Sequence, residues 1–230
     1  MLETVAKTDI IYPSSDGEPV AETYIHLYAI LTTLEVLKQY LSGQQGTVLA
    51  NQFMYYSQGL PRMRVPPDVM VIFNVEPGGR DNYKIWEEKE VTQVIFEMTS
   101  PGTKNQDQEF KKTLYEQLGV KEYWLFDPKG EWIPEQLKGY RLRNTVYEVI
   151  EDNRSEPLQL QLKVEGQLIG FYREDTGKKL LIPEELATAL QEKETELQEK
   201  ETELQQEKQK LSEMEAMLEK YRQQFGDLSE

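Results

Sequence analysis

Residues 91–126 read VTQVIFEMTSPGTKNQDQEFKKTLYEQLGVKEYWLF. The stretch opens on an apolar run of strand length, VTQVIFEMT (91–99), which Pro101-Gly102 ends. A helical stripe follows over 104–118, with Phe110, Leu114 and Leu118 at spacings of four, and Gly119 stands where a helix C-cap is expected. A second apolar run, VKEYWLF (120–126), is closed by Asp127-Pro128. Strand, helix, strand is the reading from which the rest of the chain is assembled.

Upstream, DVMVIFN (68–74) predicts another strand, joined to the first by the turn-rich EPGGRDNYKIWEEKE. TVLANQFMYY (47–56) predicts one more. From Val20 to Leu41 the spacing is helical, with Tyr24, Leu27, Leu31, Leu34, Val36, Leu37 and Leu41 as the apolar positions and Gly43 as the stop. Residues 1–18 are polar and carry a Ser-Ser-Asp-Gly turn signal. Downstream the pattern changes to short strands: GYRLRNTVYEVI (139–150), PLQLQLKV (157–164) and GQLIGFYRE (166–174), the last two alternating about Glu165-Gly166 as a hairpin does. This order predicts an α/β (α+β) fold, a mixed sheet flanked by helices with a β-rich C-terminal half.

The 230 residues include 26 Lys and Arg against 41 Asp and Glu, a formal charge of -15. That excludes a generally basic nucleic-acid coat but not a local basic patch. With no Cys, disulfides, zinc-thiolate sites, iron–sulfur clusters and Cys nucleophiles are excluded; with one His, so are a three-His zinc site and an HExxH protease. Three Trp, thirteen Tyr and seven Phe are enough for a core. No run approaches the ~18 apolar residues of a membrane span. The start, MLETVAKTDIIYPSSDGE, lacks a basic head followed by an apolar run, so no signal peptide and a cytoplasmic location are expected.

Composition shifts at Pro183, dividing the chain into an expected globular domain, 1–183, and a charged helical tail, 184–230. The tail holds 14 acidic and 6 basic residues, a net of -8, so half of the acidity lies outside the domain. Leu190, Leu197, Leu204, Leu211 and Leu218 recur every seven residues, the coiled-coil interval. Three positions after each stand Lys193, Lys200, Glu207, Met214 and Tyr221, so only the end has two apolar seams. Residues 190–207 read equally as a solvated helix held by pairs such as Glu196 with Lys200. Residues 211–225 favour self-association, as a coiled coil or by docking.

Two acids stand at the ends of apolar strands. If the 74–91 connection makes a hairpin, pairing Asn74 with Val91 puts Asp68 opposite Glu97. Acids at the rim of an apolar sheet are costly without a partner, and together they can bind a hard divalent cation such as Mg2+. A metal beside a Lys can activate water and shield a phosphate. Lys111 supplies that charge from the following helix, on one stripe with Asp107 and Tyr115 at spacings of four. From spacing alone the blander alternative stands: turn or surface carboxylates, and an ordinary Asp107–Lys111 pair.

VPPDVMVIFNV (65–75), KIWEEKEVTQVIFEMTSPGTKNQDQEFKKTLYEQLGVKEYWLFDP (84–128) and LKGYRL (137–142) resemble the Uma-two family of restriction endonucleases, rich in cyanobacterial members and part of the PD-(D/E)XK nuclease superfamily. The resemblance spans about residues 18 to 190, including DGEPVAETYIHLYAI and TGKKLLIPEEL. The set of Pro-Asp-Val, Glu-x-x-Ser-Pro, Asp-x-x-x-Lys-x-x-x-Tyr and Gly-Val-x-Glu-Tyr-Trp carries it, where any one piece would be weak. It implies a restriction-endonuclease-like fold in which Asp68 and Glu97 ligate the metal and the Met98 carbonyl adds a third oxygen. The superfamily Lys two residues after the Glu is here Thr99; the resemblance implies that Lys111 takes its place. Asp107 would support Lys111, or favour the helix N-terminus. Glu22 matches a helix position where some superfamily members carry an extra acid, and otherwise reads as a helix N-terminal charge.

The implied activity is hydrolysis of phosphodiester bonds in DNA with Mg2+ or Mn2+, by a homo-oligomer (dimer or higher) that the tail could assemble. The alternatives are a catalytically idle module on the same fold, which self-associates through the tail, and a metal-dependent hydrolase of another substrate. Tyr115, Tyr123 and Trp124 read as core aromatics, His26 as a packed or half-exposed residue, and Asp127 as a turn residue. Arg62, Arg64, Lys104 and Lys112 read either as phosphate contacts or as solvated charge.

Overall fold

A computed structural model describes residues 10–17, 23–99 and 106–226, without the side chains of 106–108 and 225. Glu22 and Lys104 lie outside the described residues, as does the Asp107 side chain. The chain divides into two compact units, one running through Ile182 and the other beginning at Pro183.

The first unit is built on a six-stranded mixed sheet. Helix α1 (Tyr24–Tyr40) starts at Thr23, whose hydroxyl accepts the His26 N–H at 3.4 Å. Strands β1 (Gly46–Ala50), β4 (Val69–Phe73), β6 (Val94–Met98), β7 (Glu122–Phe126), β8 (Leu137–Arg143) and β9 (Val146–Ile150) lie in the order β1-β4-β6-β7-β8-β9. Only β6 and β7 run parallel; the other neighbours are antiparallel. A parallel pair needs a crossover, and here it carries a π-helical turn, Gln106–Lys111, that runs straight into α3 (Lys112–Leu118). Gly119, at φ 83, ends α3 in the left-handed conformation that glycine adopts without penalty. The expected mixed sheet, helix and β-rich second half are thus present.

Side chains alternate across the strands and give the sheet two apolar faces. Val69, Val71, Val94, Phe96 and Met98 join Ile30, Val36 and Leu37 of α1 and Leu162 and Phe171 of the C-terminal strands. Met70, Ile72, Ile95, Tyr123 and Leu125 join Tyr115 of α3. One helix therefore covers each face. Two three-stranded sheets complete the unit. The first has β2 (Met54–Tyr55) between β3 (Arg64–Val65) and β5 (Tyr83–Lys84), with a one-turn helix, α2 (Ile85–Glu88), after β5. The second is β10 (Arg154–Ser155), β11 (Leu160–Glu165) and β12 (Leu168–Arg173), where β11 and β12 form the hairpin expected at Glu165-Gly166.

Three local expectations are corrected. The 47–56 run is two strands, because Asn51 turns at φ 53 and sends the chain into the small sheet. The inward stripe of α1 is His26, Ala29, Ile30, Thr33, Val36 and Leu37, whereas Tyr24, Leu27 and Leu31 are exposed; both stripes satisfy helical spacing, and packing on the sheet chooses between them. Phe110 is 57% exposed and does not continue the Leu114 and Leu118 stripe, because the wider π turn resets the face so that Lys111 and Tyr115 point inward.

The second unit is one helix, α4 (Pro183–Phe225). Pro183 occupies its first position, where the missing N–H costs nothing. Within it Glu196 binds both Lys193 (2.7 Å) and Lys200 (2.6 Å).

Candidate functional site

The register of β4 on β6 pairs Val69 with Phe96 and Val71 with Val94. Continued by one residue it sets Asp68 against Glu97, the alignment expected from pairing Asn74 with Val91. Counting by twos along each strand, both acids belong to the α3-covered face, Asp68 with Met70 and Ile72, Glu97 with Ile95. Asp68 Oδ2 accepts the N–H of Met98 at 2.7 Å, which ties the first acid to the backbone next to the second. His26, on α1, brings Nε2 to 3.9 Å from the same oxygen.

Glu97 has no solvent exposure. An isolated carboxylate there would be costly by several kcal/mol or more. Two groups of the crossover compensate it. Lys111 Nζ donates to Oε2 at 2.8 Å, and the Tyr115 hydroxyl donates to Oε1 at 2.8 Å. Their spacing of four places both on one face of the helical segment. Burial first, and then the Glu97 charge, push the Tyr115 phenol well above the ordinary tyrosine value, so it acts as a donor and not as a phenolate.

Thr99, two residues after Glu97, is buried and directs its hydroxyl to the Phe126 carbonyl (3.3 Å), which also accepts its N–H (2.7 Å). It is absorbed into the β6–β7 ladder, while Lys111 is the amine at Glu97.

The donor set suits a hard cation. Asp68 and Glu97 offer carboxylate oxygens, each with two lone pairs, so a hydrogen bond to such an oxygen does not by itself exhaust its acceptor capacity. With the Met98 carbonyl beside them the chemistry is all oxygen, as Mg2+ or Mn2+ prefers. Among the described residues no three His, Asp or Glu side chains cluster as a complete ligand shell, which leaves carbonyl, water or phosphate oxygens to complete one.

Sequence reasoning under-read two residues. Tyr115 is a core aromatic, yet its hydroxyl belongs to the acid cluster; its place on the Lys111 stripe was the available signal. His26 is packed, as expected, but beside Asp68; no pattern in the sequence pointed there. Tyr123 and Trp124 are fully buried, and the Trp124 indole donates to Glu122 at 3.1 Å. Asp127 accepts the N–H groups of Lys129, Gly130, Trp132 and Ile133, a turn residue as expected. Arg64 lies 4.0 Å over the Phe53 ring and Lys112 4.2 Å over the Tyr140 ring, so both also pack, while Arg62 is exposed.

No helix among the described residues is long and apolar enough to cross a membrane. No curated protein matches the chain. A solved structure, "Crystal structure of a putative nuclease belonging to DUF820 from Anabaena variabilis ATCC 29413", is similar at 16% identity and a TM-score of 0.43, over 60% of this chain and 72% of that one. The Uma2 family model, described as "Putative restriction endonuclease", matches residues 2–171, from before α1 to within β12 and across every residue of the acid cluster. The chain belongs to the Uma2 family.

Proposed function

We propose that the protein is a metal-dependent endonuclease that hydrolyses phosphodiester bonds in DNA. The observation that carries the reading is the meeting of two strand-end acids with one buried amine: Asp68 against the Met98 N–H, and Lys111 Nζ 2.8 Å from Glu97. Asp68, Glu97 and the Met98 carbonyl would hold Mg2+, with Mn2+ as substitute. A bound divalent cation supplies Lewis-acid polarisation of the phosphate and a more acidic water. The Lys111 ammonium orients the attacking water or stabilises charge growing on the phosphate. The Met98 N–H and the Tyr115 hydroxyl fix the two acids, and Asp107 and Glu22 are assigned supporting roles. The tail joins copies of the chain, which suits cutting of both strands, and the cytoplasm is the compartment where such a protein meets DNA.

The test is nicking of supercoiled plasmid with Mg2+ or Mn2+, with and without chelator, alongside direct Mn2+ binding. Cleavage that needs metal and is lost in Asp68→Ala and Glu97→Ala, with folding retained, is the expected result. Folded protein that neither binds Mn2+ nor nicks DNA would instead mark an idle module; cleavage of generic phosphodiesters but not DNA would mark a hydrolase of another substrate.

A further inference from the structure

We infer that α4 pairs with a second copy of itself as a parallel, in-register, two-stranded coiled coil confined to residues 203–225, with residues 183–202 left as a solvated spacer. The inference deepens the proposal that the tail joins copies of the chain.

The apolar seam sets the heptad. With the leucines at position a, the d positions are Lys193, Lys200, Glu207, Met214 and Tyr221. Placing the leucines at d would instead put Glu194, Glu201, Lys208, Glu215 and Arg222 at a, which no coiled coil tolerates throughout. Leu204, Leu211, Met214, Leu218 and Tyr221 are each more than half exposed in the single chain, so the seam is open. It is continuous only from Leu211 onward, extended by one heptad at Leu204.

Charge settles the extent and the orientation. In a parallel, in-register pair each g residue faces the e residue five positions on in the partner helix. Glu203 then faces Lys208, and Lys210 faces Glu215, both attractive; Glu196 faces Glu201, which is repulsive. Glu196 is already held by Lys193 and Lys200. Among the described residues, Glu203, Lys208, Lys210 and Glu215 make no ion pair within 4 Å, although Lys200 stands three positions before Glu203. The C-terminal half presents its charges at the flanks of an open apolar seam, whereas in the N-terminal half Glu196 is engaged by two lysines of its own helix. At 1.5 Å per residue the spacer runs about 30 Å before pairing begins.

The full chain contains no cysteine, so a single introduced thiol reports on register without interference. The experiment is sedimentation equilibrium of the full chain over a concentration series, with oxidative cross-linking of Tyr221→Cys. Expected are a monomer–dimer equilibrium; a disulfide-linked dimer through position 221; and loss of the dimer in Leu218→Asp but not in Leu190→Asp. Lys210→Glu weakens association roughly tenfold, and adding Glu215→Lys restores it. A chain that stays monomeric at every concentration overturns both this inference and the self-association proposal beneath it. Association without the 221 cross-link, without charge-swap rescue, as a trimer, or equally sensitive to Leu190→Asp overturns this inference alone.

Discussion

Glu97 and Lys111 meet at 2.8 Å although they stand fourteen positions apart in the chain, Glu97 wholly enclosed and Lys111 only 8% exposed. The pair joins the parallel strand to the helical crossover that follows it. Removing one partner strands a charge in the interior. Lys111→Met is expected to cost about 3–5 kcal/mol in urea unfolding, and the double variant Lys111→Met/Glu97→Gln to recover a large part of that. If the single and double variants are equally unstable, the pair does not compensate the Glu97 charge.

The Tyr115 hydroxyl supplies the other half of that compensation. Tyr115→Phe removes a single oxygen from a fully buried ring, yet it is expected to cost about 1.5–3 kcal/mol because the bond lost was to a charged acceptor. If the endonuclease reading holds, the same variant loosens Glu97 and shifts the Mn2+ dependence of cleavage to higher metal, with circular dichroism unchanged. A variant as stable as the parent would show that Glu97 finds a replacement donor.

Alkaline stability follows mainly from three buried phenols; the half-buried Tyr40 is raised by burial as well. Tyr115, Tyr83 and Tyr147 are each raised above the ordinary tyrosine value, in every case mainly by burial. Below about pH 10 folded and unfolded chains both keep these phenols protonated, so they give no pH dependence. Above it the unfolded chain releases protons that the folded chain retains, and stability falls by about 1.4 kcal/mol per pH unit for each tyrosine, until the folded values are reached. Unfolding curves between pH 9 and about 12 should show this decline, and Tyr115→Phe should remove about a third of the slope. A flat profile through that window would contradict it.

Gly139 on β8 stands directly opposite Trp124 on β7. A Cβ on Gly139 would lie 2.5 Å from the indole ring. Trp124 is enclosed and cannot swing away without breaking its bond to Glu122. Gly139→Ala is therefore expected to destabilise by about 1–3 kcal/mol and to alter tryptophan emission. Unchanged stability and emission would mean that the ring has room to move.

Much of this geometry was legible in the sequence. The DVMVIFN and VTQVIFEMT runs are too apolar to lie anywhere but mid-sheet, and a hairpin that pairs Asn74 with Val91 sets Asp68 opposite Glu97. The Lys111–Tyr115 spacing likewise fixed which groups of the crossover share a face. What could not be read was anything decided by a partner distant in sequence. The α1 face was ambiguous because two stripes share one helix and only the sheet selects Ile30 and Val36 over Leu27 and Leu31. The break at Asn51 depends on β2 finding β5 some thirty residues later. The π turn leaves no pattern at all, since it changes the pitch rather than the residue types, and Phe110 was misplaced for that reason.

Strand β6 is fastened to the helical crossover that follows it by two side chains, Lys111 and Tyr115, on one carboxylate, Glu97. Strand and crossover are thereby clasped into one body: the amine cannot leave the acid unless the crossover lifts from the sheet.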